Sequence, residues 1–220
     1  MCHRFAMLDR AEVMRVAREI AADVAAHAGE LGALDPMAAW RADLARPAAD
    51  ASAPGEAFPG SVVALVAPTG RGAQLAVADM AWGFDVGWKR GSVFNTRIET
   101  ALGASGGMWA DSLARRRCIV PARRFFESHG SETVRSPRTG RPVKRQYAFE
   151  RADGAPLLLA GIHDKGRFSL VTTEPCDAVA PVHDRMPLAL DVKGAALWLA
   201  GDFEGVLERP TAKLAAQVEA

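Results

Sequence analysis

No apolar run in these 220 residues approaches the length of a membrane-spanning helix. The first twenty residues carry Arg4, Asp9, Arg10, Glu12, Arg15, Arg18 and Glu19 where a secretory leader needs an uninterrupted hydrophobic stretch. A soluble, intracellular protein is expected. Cysteine is scarce: Cys2, Cys118 and Cys176 are odd in number and widely spaced, and no Cys-x-x-Cys pair occurs, so neither a disulfide framework nor a structural zinc site is expected. That usage fits a reducing compartment. Charge of one sign is also lacking, since 27 Lys and Arg offset 26 Asp and Glu to a net +1. A bulk cationic packager is thereby excluded, but a local basic groove is not. There is no internal repeat. What is present, 49% hydrophobic residues with 24% charged, suffices for a core of ordinary domain size, and one globular domain over residues 1–220 is expected.

The chain begins with a short extended segment over residues 1–8. Asp9 with Glu12 three residues on reads as a capping box, and Val13, Val16, Ile20 and Val24 then recur at helical spacing until Gly29 and Gly32. A second amphipathic piece around Met37, Trp40 and Leu44 leads into an Ala/Pro/Gly-rich surface connection over 46–60. Beyond it, short apolar runs at 61–67, 74–80, 117–120, 146–150, 157–162 and 168–173 read as strands. Asp153-Gly154 is a hairpin signal between two of them, and 137–140 is another turn. Helical patterns return at 107–115, 194–200 and 211–219, so the stretch from 191 to 220 is expected to be helical. The fold class is α+β, with a mainly antiparallel, barrel-like sheet and peripheral helices.

Cys2 is the residue with the most pointed chemistry. Removal of Met1 leaves an amine of ordinary pKa near ~7.8 and a thiol near ~8.5 on one carbon framework. Such a 1,2-aminothiol condenses with an aldehyde to an imine, and sulfur then closes a five-membered thiazolidine. The natural target is an aldehyde.

Other candidates carry a competing structural role. Asn95-Thr96-Arg97-Ile98-Glu99 alternates, so an extended backbone puts Asn95, Arg97 and Glu99 on one face, where Arg97 is placed either to clamp a phosphate or simply to meet solvent. Glu127 follows two phenylalanines, an environment that raises a carboxyl pKa if the side chain turns inward. His183 lies in a loop bracketed by Pro181 and Pro187, with Asp184 beside it either to orient the imidazole or to pair with Arg185. Two basic groups stand out: Arg115, Arg116, Arg117, Arg123 and Arg124, and then Arg135, Arg138, Arg141, Lys144 and Arg145 with no acidic residue among them. Both suit phosphates, and both suit a solvated face. Trp82, Trp88 and Trp109 are candidates to stack on unpaired bases, with core packing the competing role.

The order of these pieces resembles the SRAP family (SOS-response-associated peptidases, the abasic-site processing proteins). Met1-Cys2-His3-Arg4-Phe5 is similar to the family's opening Met-Cys-Gly-Arg-Phe, and Trp82 to Trp88 to its Trp-Gly-Leu-x-Pro-x-Trp. Asn95 to Thr100 matches Asn-Ala-Arg-x-Glu-Thr, Arg117 to Ser128 the Arg-Cys-Leu-x-Pro-Ala-x-Gly-Phe-Tyr-Glu-Trp block, and Thr172-Thr173 with Val179 to Pro187 the last motif. The resemblance spans residues 2–190. It implies an enzyme that removes its own Met1, binds single-stranded DNA at abasic sites, and links Cys2 to the ring-opened sugar as a thiazolidine, with lyase-like character and a role in the DNA damage response. Asn95 would hold the Cys2 end, Glu127 and His183 would move protons, and Arg4, Arg97 and Thr173 would contact phosphates, with Trp82 and Trp88 facing DNA. No cofactor or metal is implied, and the protein is expected to be a cytoplasmic monomer, at the nucleoid when bound to DNA. Four departures stand out: His3 for Gly, Ser128 for an aromatic, Val86-Gly87 without the proline, and Arg123-Arg124 for the glycine turn.

Two other readings use the same residues differently. An N-terminal-nucleophile amidohydrolase would use the Cys2 thiolate with its own amine as base. A noncatalytic single-strand-binding module would leave Cys2 idle.

Overall fold

Asp9 and Glu12 close on each other as the capping box requires: the Glu12 amide donates to Asp9 Oδ1 at 2.8 Å and the Asp9 amide to Glu12 Oε2 at 2.9 Å. Between them they satisfy two amides at the start of a helix, α1 (Arg10–Ala26), which follows the first strand, β1 (Arg4–Met7). This computed structural model describes residues 2–26, 55–68, 75–87, 91–103, 107–208 and 212–219. Met1, Gly29, Gly32, the piece around Met37, Trp40 and Leu44, most of the 46–60 connection, and Trp88 lie outside the described residues.

After α1 come β2 (Glu56–Ala57), β3 (Val62–Pro68), β4 (Leu75–Trp82), β5 (Phe84–Asp85), β6 (Ser92–Val93), β7 (Asn95–Arg97) and α2 (Ile98–Leu102). Then follow α3 (Ala110–Arg115), the long β8 (Arg117–Arg135), β9 (Pro142–Arg151), β10 (Leu157–Asp164) and β11 (Arg167–Thr173). The chain ends with β12 (Met186–Pro187), β13 (Ala189–Leu190), α4 (Val192–Ala200), α5 (Phe203–Leu207) and β14 (Leu214–Val218). Five strands close a ring in the order β8, β10, β11, β4, β3 and back to β8. Its pairings are antiparallel except β11 with β4. The fold is thus α+β with a largely antiparallel, barrel-like sheet.

Strand alternation divides the core in two. Leu65, Ala67, Cys118, Val120, Leu159 and Phe168 face inward with Phe5, Trp82, Phe125 and Phe149, whereas Val66, Ile119, Leu158 and Ile162 face outward. The outward set is covered by Val13, Val16, Ile20 and Val24 of α1 and by Leu197 and Trp198 of α4. Fully burying side chains such as Ile20 or Leu65 contributes roughly 2 kcal/mol each, so these two layers fix the barrel.

Three expectations from the sequence are corrected. Residues 214–218 are a strand rather than a helix: β14 pairs antiparallel with β9 from Leu214 opposite Arg151 to Val218 opposite Tyr147, and these ladder bonds override the helical preference of Leu-Ala-Ala-Gln. Asp153-Gly154 does not close a hairpin, because β9 and β10 pair with successive stretches of the same strand β8, and the turn only offsets one from the other. Glu99 does not share a strand face with Asn95, since β7 ends at Arg97 and Glu99 lies in α2.

Candidate active site

β1 runs antiparallel to β8 with Arg4 opposite Phe126, so the residues just before β1 arrive beside Glu127. β7 lies parallel to β11 with Asn95 opposite Leu170. The segment after β11 turns back over the same end of the barrel, where Val182 N–H donates to the Val179 carbonyl and the Gly130 amide donates to the Val182 carbonyl at 2.9 Å. Four separate segments of chain thus carry Cys2, Asn95, Glu127 and His183 to one place.

Asn95 Nδ2 donates to the Cys2 carbonyl at 2.7 Å, and Asn95 Oδ1 is buried with no hydrogen-bond partner among the described residues. Cys2 is fully buried and its thiol points at the Arg4 carbonyl at 3.5 Å. Burial first, and then the Glu127 carboxylate, push that thiol well above its ordinary range, so it stands protonated. Glu127 is 1% exposed, and loss of hydration raises its pKa to about 7. That value lets it give or take a proton near neutrality. His183 Nε2 lies 3.9 Å from Glu127 Oε2. The ring's desolvation lowers its pKa, and neutral His183 is the resting form. Its Nδ1 accepts from the Arg185 amide at 3.0 Å and has Asp184 Oδ1 at 2.9 Å, so protonation there would exchange an accepted bond for a donated one.

Glu127 and His183 open onto a cleft of about 680 Å³, also lined by His3, His129 and Lys144. Cys2 is not on its surface; it sits beneath, in the inward core layer. His129 was missed from the sequence, although its place two residues after Glu127 on one strand was the available signal. Arg185 pairs with Glu99 through both nitrogens at 2.8 Å, and not with Asp184.

The expected DNA-contacting residues divide. Arg97 is exposed at the end of β7 and pairs in register with Thr172, next to half-buried Thr173, so these two positions share one rim. Arg4 lies over the Phe126 ring at 3.7 Å and is ion-paired with Glu219 and, at 3.6 Å, with Glu56. Trp82 is fully buried at the barrel centre, 4.9 Å from Phe5, with its Nε1 donating to the Phe94 carbonyl at 2.8 Å. Base stacking by Trp82 is therefore corrected to core packing. Trp109 packs against Phe84. Among the described residues no cluster of three or more His, Cys, Asp or Glu could hold a metal ion, and no helix is long and apolar enough to cross a membrane.

A buried second-residue thiol, a carboxyl whose pKa is raised to about 7 and a neutral imidazole thus lie together at one end of a closed, largely antiparallel ring of strands. The profile of the SOS response associated peptidase (SRAP) family matches residues 1–219, and the chain belongs to that family. A curated relative, abasic site processing protein YedK of Escherichia coli, is 28% identical over 156 residues, which cover 67% of this chain and 64% of that protein's length. Two solved structures from Bordetella bronchiseptica share the fold: a phage-related protein with a TM-score of 0.65 at 21% identity, covering 99% of this chain and 94% of its own, and a second protein at 0.63 and 22% identity, covering 100% of both chains. A protein from Bacteroides thetaiotaomicron aligns with a TM-score of 0.56 at 20% identity over 76% of this chain and 78% of its own.

Proposed function

We propose that this protein processes abasic sites in single-stranded DNA by forming a covalent link through Cys2. The observation that carries the reading is the meeting of Cys2, Asn95, Glu127 and His183 from four distant segments, with Asn95 bonded to the Cys2 carbonyl at 2.7 Å. Family membership and the name of the Escherichia coli relative support the substrate.

As translated, the Cys2 nitrogen lies in an amide with Met1. Hydrolysis of that bond consumes one water, releases methionine and frees the amine. The amine then adds to C1′ of the ring-opened sugar, and the carbinolamine loses water to give an imine. Glu127, near half-protonated at neutral pH, donates to the departing hydroxyl. Its carboxylate then takes the thiol proton as sulfur adds to the imine carbon, closing the thiazolidine with the proton returned to nitrogen. His183 relays protons between Glu127 and the cleft, and Asn95 Oδ1 offers a buried acceptor beside the forming ring. Arg97 and Thr173 meet flanking phosphates; Arg4 does so once it leaves its two carboxylate partners.

Met1-processed protein mixed with an abasic single strand should give an adduct that survives a denaturing gel. Equal yield from Cys2→Ala contradicts the assignment. DNA binding without any adduct favours the noncatalytic reading.

A further inference from the structure

The second basic group is not a solvated face of the barrel. β8 and β9 continue past it as a two-stranded arm, with Thr133 opposite Lys144, Val134 opposite Val143 and Arg135 opposite Pro142, and a tip where Ser136 N–H donates to the Arg141 carbonyl at 2.9 Å. Cross-strand partners share a face, so Arg135 and Lys144 lie on one side of the arm and Val143 and Arg145 on the other. The two sides differ in charge. Arg145 pairs with Glu132 at 3.2 Å, and the Tyr147 hydroxyl donates to the same carboxylate at 3.0 Å. Lys144 lines the cleft, close enough to His183 for its charge to bear on that ring, and Arg135 gives a hydrogen bond only to the Gly140 carbonyl at 3.2 Å among the described residues. Both side chains are exposed.

We infer that the Lys144 and Arg135 side of this arm is a phosphate rail that carries the DNA strand away from the reactive end of the protein. Four strand steps separate Gln146, opposite Ser128 on the cleft wall, from Pro142, opposite Arg135, a reach of about 13 Å. A strand bound at Glu127 therefore meets Lys144 first and Arg135 next. An acidic protein would also suit two cations, but the rail opens into the cleft where the strand's reacting sugar would lie, and this favours the strand's own phosphates. The inference rests on the single-strand reading above.

Binding of an unmodified single-stranded oligonucleotide to the full chain carrying Cys2→Ala, measured across a salt series, tests it without crosslinking. Adding Arg135→Ala and Lys144→Ala should make the slope of log affinity against log salt shallower by about 1.4, the loss of two phosphate contacts. Arg145→Ala, which removes the same kind of charge from the other side, should leave the slope within error. Equal changes for both variants, or no change for the double variant, overturn the rail. An unchanged melting temperature in the double variant excludes misfolding as the cause. If no form binds DNA, rail and functional reading fall together; if the Cys2-dependent adduct forms but the slopes do not move, only the rail falls.

Discussion

The two halves of β8 use the same residue type in opposite ways. In its first half Arg117 is buried, its guanidinium donating to the carbonyls of Leu113 and Ala114 at the end of α3 and of Leu199 at the end of α4. A cation there offsets two helix C-terminal dipoles and satisfies carbonyls that the helices leave open. Neighbouring charges are likewise tied, Arg116 to Asp111 and Asp164, Arg123 to Glu12, Arg124 to Glu150. In its second half the strand passes Glu127, leaves the barrel, and exposes Arg135 on the arm. An arginine in this chain is structural where carbonyls or carboxylates surround it, and available to a ligand where the backbone carries it clear of the core. Glu127 sits at the change-over, buried like the first half and opening onto the cleft like the second.

The largest effect that would sharpen this contrast is on Glu127 itself. Glu127→Gln keeps the shape and removes the titrating proton, so crosslinking to an abasic strand should slow by about a hundredfold or more while the melting temperature holds or rises. A variant crosslinking at the parent rate would make Glu127 a filler. Arg117→Leu comes next: it strands carbonyls at two helix ends and should lower unfolding free energy by about 3 kcal/mol in denaturant titration, with crosslinking per folded molecule unchanged. Were the loss under ~1 kcal/mol, the division of β8 would break.

A pH effect follows from the raised Glu127 pKa of about 7. Unfolded, the carboxyl titrates at its ordinary value near 4.5, so between the two the folded state holds the extra proton. Stability from this group is full below about 4.5 and is lost as pH rises through about 7. Parent protein should therefore lose on the order of 2 kcal/mol between pH 5 and 8 relative to Glu127→Gln, read as diverging denaturation midpoints. The smallest effect belongs to Arg123, whose partner Glu12 lies at 2.7 Å on the surface. Arg123→Ala should cost under about 1 kcal/mol. A cost near that of Arg117→Leu would erase the distinction between buried and surface arginines.

Much of the site was legible in the chain. Cys2, Asn95, Glu127 and His183 carry chemistry in their side chains and sit in short motifs, so their types and order sufficed to nominate them. Strands such as Val62–Pro68 and Leu157–Asp164 were legible as short apolar runs. What escaped depends on distant partners. Leu214 to Val218 has helical local preference, and only β9, more than sixty residues earlier, makes it a strand. Trp82 offers the same indole to a base or to Phe5 and Phe168, and closure of the barrel decided between them. Likewise, nothing in a run of arginines distinguishes Arg117 from Arg135 until the helices are placed.

The central claim is that the reactive end is Cys2 with Met1 removed. Tryptic mass spectrometry of the adduct with an abasic single strand tests it most directly: the tripeptide Cys2-His3-Arg4, without Met1, should carry the sugar with the loss of one water, and should resist borohydride as a closed thiazolidine does. Linkage at Lys144 or another amine, a Met1-bearing peptide in the adduct, or an imine that borohydride reduces would contradict the account.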